Sequence, residues 1–171
     1  KIIGHNTDID GFKSGIKNLK FDIKDMKVLI LGAGGVVSSI IYALNKIKVF
    51  KITISNRTKK KAENLKNLFK DLKVVEWGQV PEFDMIINAT SIGLKKNDLI
   101  SLDLSSVGKN KFFYDVIYNP TETNFLKSGK KLGNMTENGK LMFIYQAFSA
   151  FKIWHKIEPI IDQQVIKLLD L

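Results

Sequence analysis

Five short apolar runs punctuate the chain, each closed by turn residues or by a segment with helical spacing. "KVLILGA" (27–33), "FKITISN" (50–56), "VVEW" (74–77), "DMIINAT" (84–90) and "KFFYDVIY" (111–118) predict strands. The first is branched and unbroken, as expected of a strand buried on both faces of a parallel sheet. An apolar helix is predicted from the glycine turn at 32–35 to Lys46. In "RTKKKAENLKNLFKDL" (57–72), Ala62, Leu65, Leu68, Phe69 and Leu72 fall on one helical face. Residues 121–132 predict another helix, "GNMTENG" (133–139) a loop, and the chain from Leu141 a helix broken near Pro159.

Strands alternating with helices specify an α/β fold of the Rossmann type: a mostly parallel, doubly wound sheet with right-handed crossovers, flanked by helices. The sheet core is expected over 23–138, with helical segments over 1–22 and 139–171. At 171 residues and 44% apolar, the chain can bury one substantial core. It has no cysteine, which excludes disulfides, thiolate metal sites and a cysteine nucleophile and fits a reducing cytoplasm. His5 and His155 lack ligand spacing, and no metal site is expected.

The most apolar stretch, residues 28–44, is shorter than the roughly 20 residues of a membrane span and is interrupted by glycines, so no membrane partner is expected. The net charge of +10 raises nucleic acid as a partner. The lysines are scattered, however, and Arg57 is the single arginine, whereas nucleic-acid surfaces favour arginine. No nucleic-acid partner is expected, and most of the charge reads as solvated surface.

The chemistry begins after the first strand. In "LGAGGVV", Gly32 permits a tight turn and Gly34 lets backbone N–H groups approach a diphosphate, with the following helix start offering unpaired donors. Val37 stands where the dinucleotide fingerprint has a third small residue, which weakens the expected close packing of helix on strand. The next signal follows the second strand. An NAD site wants a carboxylate there for the ribose 2′-hydroxyl, but this chain reads "SNRTKKKA". Arg57, Thr58 and Lys61 form a phosphate clamp, so NADP(H) is expected in preference to NAD.

Six ordered blocks, "GHNTDIDGF", "LGAGG", "SNRTKKKA", "DMIINATSIGL", "FFYDVIYNPTETNFLKSGKKLG" and "NGKLMFIYQAFSAFKIWHKIEP", resemble the C-terminal half of the shikimate dehydrogenase family over nearly the whole chain. The resemblance implies NADPH-linked reduction of 3-dehydroshikimate to shikimate, on the way to chorismate and the aromatic amino acids. It also implies a substrate domain of roughly a hundred residues ahead of "NTD", so that the chain is an NADP-binding domain fragment inactive by itself. Residues 1–22 would then be the interdomain segment, and 139–171 would face that substrate domain. The family's catalytic lysine has no counterpart in this sequence.

Carried over residue by residue, Asp8 matches the catalytic carboxylate that pairs with that lysine and contacts substrate hydroxyls. A lysine–carboxylate pair can orient and supply a proton to a developing alkoxide. The structural reading of Asp8 is a helix cap. Tyr118 and Gln146 match substrate-side residues; read structurally, they are a strand-end aromatic and a polar residue on an apolar helix. Gly32, Ala33, Gly34, Gly35 and Val36 match the diphosphate turn, and Asn56, Arg57, Thr58, Lys59, Lys60 and Lys61 match the adenosine-phosphate clamp. Thr90 and Ser91 end the fourth strand, and Val116 and Gly139 match positions lining the nicotinamide. Two departures stand out. Val36, Val37 and Ser38 occupy positions where the family has small residues and then arginine, which implies fewer diphosphate contacts. Lys156 stands for a glycine in the "WxGxxP" block, which implies an altered turn.

The expected partner is a small molecule, shikimate or 3-dehydroshikimate, and the expected state a monomer or homodimer. The alternatives are a quinate-using relative, another nicotinamide enzyme such as methylene-tetrahydrofolate dehydrogenase or glutamyl-tRNA reductase, or a non-catalytic nucleotide-binding module. The "NTDIDGF" and "YQAFSAF" blocks argue against the other nicotinamide enzymes.

Overall fold

The computed structural model describes residues 2–19 and 21–168. In chain order the elements are α1 (Thr7–Asn18), β1 (Lys27–Leu31), α2 (Gly35–Ile47), β2 (Lys51–Ser55), α3 (Lys59–Leu68), β3 (Lys73–Val75), β4 (Met85–Asn88), β5 (Phe112–Asp115), α4 (Asn124–Lys131), β6 (Met135–Glu137), α5 (Lys140–His155) and α6 (Gln163–Lys167). The strands form one sheet in the order β3-β2-β1-β4-β5-β6, with every pairing parallel. The chain starts in the middle, runs outward to β3, then returns to the other side of β1. That reversal opens a crevice at the carboxyl ends of β1 and β4, where ligands of such sheets bind.

Alternation within the apolar runs divides the core between two faces. Val28, Ile30, Ile54, Ile87 and Tyr114 pack against Phe12 and Ile16 of α1, Val37, Ile40, Ile41 and Leu44 of α2, and Met142 of α5. Leu29, Leu31, Ile86 and Phe113 face the other way, against Phe83 and against Phe125 and Leu126 of α4. No helix joins β4 to β5; Ile100, Leu102, Leu104 and Val107 cover that side instead.

The segment 133–139, expected as a loop, contains β6. A three-residue edge strand is too short to show alternation, and it forms because Met135 N–H bonds the Lys111 carbonyl alongside β5. The helix at the front starts at Thr7, and its N-cap is Asn6, whose side chain accepts from Asp8 N–H. Asp8 therefore sits inside the first turn rather than capping it.

Two glycines of α1 let α5 approach closely. A β-carbon on Gly11 would stand 2.6 Å from the Met142 carbonyl oxygen, and one on Gly15 would stand 3.2 Å from Met142 N. The two helices run antiparallel, since Gly11 meets Met142 and Gln146 while Gly15 meets Leu141 and Met142.

At the amino edge, Asp84 ties three strands together. Its carboxylate accepts from Lys27 N–H at 2.9 Å and from Lys111 Nζ at 3.3 Å, and its carbonyl accepts from Phe112 N–H at 2.9 Å. The Lys27 backbone donor, followed by Lys111, holds the Asp84 carboxyl below the ordinary carboxylate range. A lowered pKa in the folded state adds stability above the unfolded carboxylate's pKa and loses it as pH falls. We expect Asp84→Asn to lower the urea midpoint at neutral pH, with the gap to the parent closing as pH is lowered from about 5 to about 3.

At the far end of α5, Lys156 is the C-cap, with φ of 58° and ψ of 21° in the left-handed region. This is the position where the family resemblance expects glycine, and here a lysine adopts the left-handed conformation that glycine takes without strain. Lys156→Gly should raise stability by about 0.5–1 kcal/mol, read as an increase in melting temperature.

Candidate functional site

Because every strand is parallel, the turns that follow them gather at one edge. Gly32 follows β1, Asn56 follows β2, Thr90 lies just past β4, Val116 follows β5 and Gly139 lies just past β6. Residues predicted from five separate blocks are thereby brought to a single rim.

The glycine turn is dictated at its first position. Gly32 has a φ of +106°, and a β-carbon there would stand 2.6 Å from the Ala89 carbonyl oxygen. Its N–H bonds the Ser55 carbonyl at 2.8 Å, which pins the turn to β2. Gly34 and Gly35 differ: a β-carbon on either would meet nothing within 4 Å. Gly34 is the N-cap of α2, makes no side-chain cap, and no acidic residue follows in the first turn. Ala33 and Val36 beside these glycines are half-buried, and Val37 N–H is already bonded to the Gly34 carbonyl at 3.1 Å. Val37 is fully buried in the core, so its bulk fills the helix–sheet contact rather than loosening it.

After β2, Asn56 Nδ2 donates to the Thr58 carbonyl at 2.7 Å and shapes the turn into α3. Thr58 is the N-cap but makes no side-chain cap bond, and Lys59, Lys60 and Lys61 fill the first turn. Ammonium groups there oppose the helix dipole, so the arrangement favours an anion. Arg57, Thr58 and the three lysines are exposed. Among the described residues, no carboxylate lies within ion-pair distance of Arg57. Lys59 pairs with Glu76, whose carboxylate raises the lysine's pKa by hydrogen bonding and charge.

Between β4 and β5 lies a buried polar network. Asn88 Nδ2 donates to Asp115 Oδ1 at 3.0 Å and to the Ile92 carbonyl at 3.0 Å. Its Oδ1 accepts from Thr90 Oγ1 at 2.7 Å and Thr90 N–H at 3.1 Å. Asp115 also accepts from Ile117 N–H at 3.0 Å and from Thr123 Oγ1 at 2.6 Å. Burial pushes the Asp115 carboxyl up, and these three donors pull against it. The network fixes the Thr90 hydroxyl and the start of the loop that carries Tyr118. Ser91, next to Thr90, is exposed.

Gly139 sits directly on the backbone of Val116, where any β-carbon would overlap the Val116 carbonyl. The two positions matched to the nicotinamide pocket are thus in contact, and the glycine is explained by that contact alone. Tyr118 stacks on Phe143 of α5, with centroids 4.6 Å apart and ring planes 25° apart. Gln146 lies one turn beyond Phe143, and its β-carbon is 2.8 Å from where a side chain on Gly11 would begin. Asp8 is half-buried and lies one turn before Gly11 on α1. Asn6 Nδ2 donates to Ser39 Oγ at 2.9 Å, fastening the start of α1 to α2.

Sequence reasoning did not single out Glu76, Asn88, Asp115, Thr123 or Ser39. Polar residues closing apolar runs, Asn88 in "DMIIN" and Asp115 in "FFYD", carry the signal for two of them. Glu76 and Ser39 become visible only when strands and helices are set side by side. Among the described residues, no group of three or more His, Asp or Glu can hold a metal. No helix among them is long and apolar enough to cross a membrane.

The family model described as shikimate/quinate 5-dehydrogenase matches residues 15–116. The NADP(+) shikimate dehydrogenase of Pelagibacter ubique is 59% identical over 171 residues, covering 100% of this chain and 64% of that protein. The ligand-free 5-ketofructose reductase of a Gluconobacter species superposes with a TM-score of 0.86 at 35% identity, covering 99% of this chain and 64% of that one. Shikimate dehydrogenase of Thermus thermophilus, solved with NADP(H) and shikimate, superposes with a TM-score of 0.85 at 28% identity, covering 98% and 62%. The chain spans less than two thirds of the length of these relatives. With an all-parallel sheet in this strand order, the glycine turn at its switch point and a family match over residues 15–116, the chain belongs to the shikimate/quinate 5-dehydrogenase family.

Proposed function

We propose that this chain is the NADP-binding part of a shikimate dehydrogenase, acting in the NADPH-linked reduction of 3-dehydroshikimate to shikimate. The observation that carries the reading is the pairing of two features at one rim. An uncapped helix start has open space at Gly34 and Gly35, and an exposed arginine with no carboxylate partner among the described residues stands at the end of the neighbouring strand.

In this reading Gly32, Ala33, Gly34, Gly35 and Val36 seat the diphosphate through backbone N–H groups. Asn56, Arg57, Thr58, Lys60 and Lys61 hold the adenosine 2′-phosphate, with the guanidinium as its main contact, and Lys59, paired with Glu76, borders the same site. Thr90, Ser91, Val116 and Gly139 border the nicotinamide. When bound, NADPH supplies the hydride that reduces the ketone. Asp8 accepts from a substrate hydroxyl and, beside a lysine, steers the proton to the ketone oxygen as it becomes an alkoxide. Gln146 offers a donor and an acceptor to a polyol, and Tyr118, held by Phe143, closes the pocket on the sheet side. No residue of this chain matches the family's lysine, so the chain supplies the coenzyme seat and the carboxylate rather than the whole constellation.

Joined to the substrate domain of the Pelagibacter relative, the chain should oxidise NADPH in the presence of 3-dehydroshikimate faster than with 3-dehydroquinate. A chimera that binds NADPH and turns over neither substrate would defeat the enzyme reading. Arg57→Ala should weaken NADPH binding roughly tenfold or more while changing NADH binding less than about twofold, measured by calorimetric titration. Equal affinity of the parent chain for the two coenzymes would remove the phosphate clamp.

A further inference from the structure

Resting on the coenzyme reading above, we propose that Glu76 sets coenzyme preference: by holding Lys59 it limits the positive charge offered to the 2′-phosphate. Arg57, Lys60 and Lys61 are thereby left as the freely presented cations, and the preference for NADPH over NADH is smaller than the basic run alone would give.

β3 ends beside β2. Ser55 pairs with Val75 in the parallel register, so the next residues, Asn56 and Glu76, leave the sheet side by side. A carboxylate from the neighbouring strand therefore stands beside the basic turn, although none follows β2 in the sequence. Its backbone is fixed by three hydrogen bonds. Ser55 Oγ donates to the Glu76 carbonyl at 3.0 Å, Gln79 N–H donates to the same carbonyl at 3.2 Å, and Glu76 N–H donates to Gln79 Oε1 at 3.0 Å. Ser55 is fully buried, which anchors the arrangement to the sheet. The side chain runs from this anchored point to Lys59 Nζ.

The pairing restrains both partners. A free carboxylate at this rim would accept from a ribose 2′-hydroxyl and favour NADH. A free ammonium at the first residue of α3 would attract a phosphate. Held together they cancel, with both side chains still more than half exposed and able to separate. Lys59 is otherwise poorly placed, since a cation in the first turn opposes the helix dipole. Glu76 is thus a positioning residue that acts through Lys59.

The test is calorimetric titration of the chain with NADPH, NADH and adenosine 2′,5′-bisphosphate, comparing the parent with Glu76→Gln, Lys59→Met and the double variant. Glu76→Gln should tighten NADPH and the bisphosphate roughly two- to fivefold, the range of an exposed ion pair, and leave NADH within about 1.5-fold. The gain should shrink with added salt and vanish in the Lys59→Met background. An unchanged or weaker NADPH affinity, a parallel gain for NADH, or a gain that persists without Lys59 would each overturn the inference. A parent chain that binds neither dinucleotide overturns the coenzyme reading and this inference with it. A parent that prefers NADPH, with Glu76→Gln indistinguishable from it, overturns this inference alone.

Discussion

The hydrogen bond between Asn88 and Asp115 is the interaction on which the rim depends. Two parallel strands end with polar side chains inside an apolar sheet, where an unpartnered carboxylate or amide is costly. Each is the other's partner, and the remaining lone pairs and protons go to Ile92, Thr90, Ile117 and Thr123. Satisfying them determines the paths of the loops after β4 and β5. The residues that border the crevice are consequently set from beneath by groups that do not line it.

The electrostatics of the chain are uneven in the same directed sense. Most of the excess lysine is spread over the surface, but the turn into α3 concentrates cations where a helix start already carries partial positive charge. Nothing in the fold requires that concentration. At the opposite edge of the sheet, Lys27 and Lys111 are matched by Glu82 and Asp84. There the two lysines are taken up by structural ion pairs, whereas Arg57, Lys60 and Lys61 are exposed at the turn into α3.

The central strands were legible in the sequence because they are buried and appear as short, unbroken apolar runs. The glycine turn was legible because a left-handed φ and close backbone contact leave a residue signature at Gly32. β6 was not, since three residues on a sheet edge acquire their conformation from β5 rather than from their own pattern. Of the candidate site residues, those following strands could be placed by topology alone. The placement of Gln146 against Gly11 needed the packing of α1 on α5, which follows from two glycines that look unremarkable in "DGFKSG". Glu76 was out of reach for a related reason: its partner Lys59 is seventeen residues away in the chain, and the parallel pairing of β2 with β3 brings the two together.

The bond from Asn6 to Ser39 has a mechanical consequence. Ser39 is one turn beyond the start of α2, and Asn6 is two residues before Asp8. The start of α1 and the early part of α2 are therefore joined directly by side chains and not only through the chain between them. Whatever binds at the start of α2 therefore meets a helix that is already tied, one turn in, to the residue that caps α1.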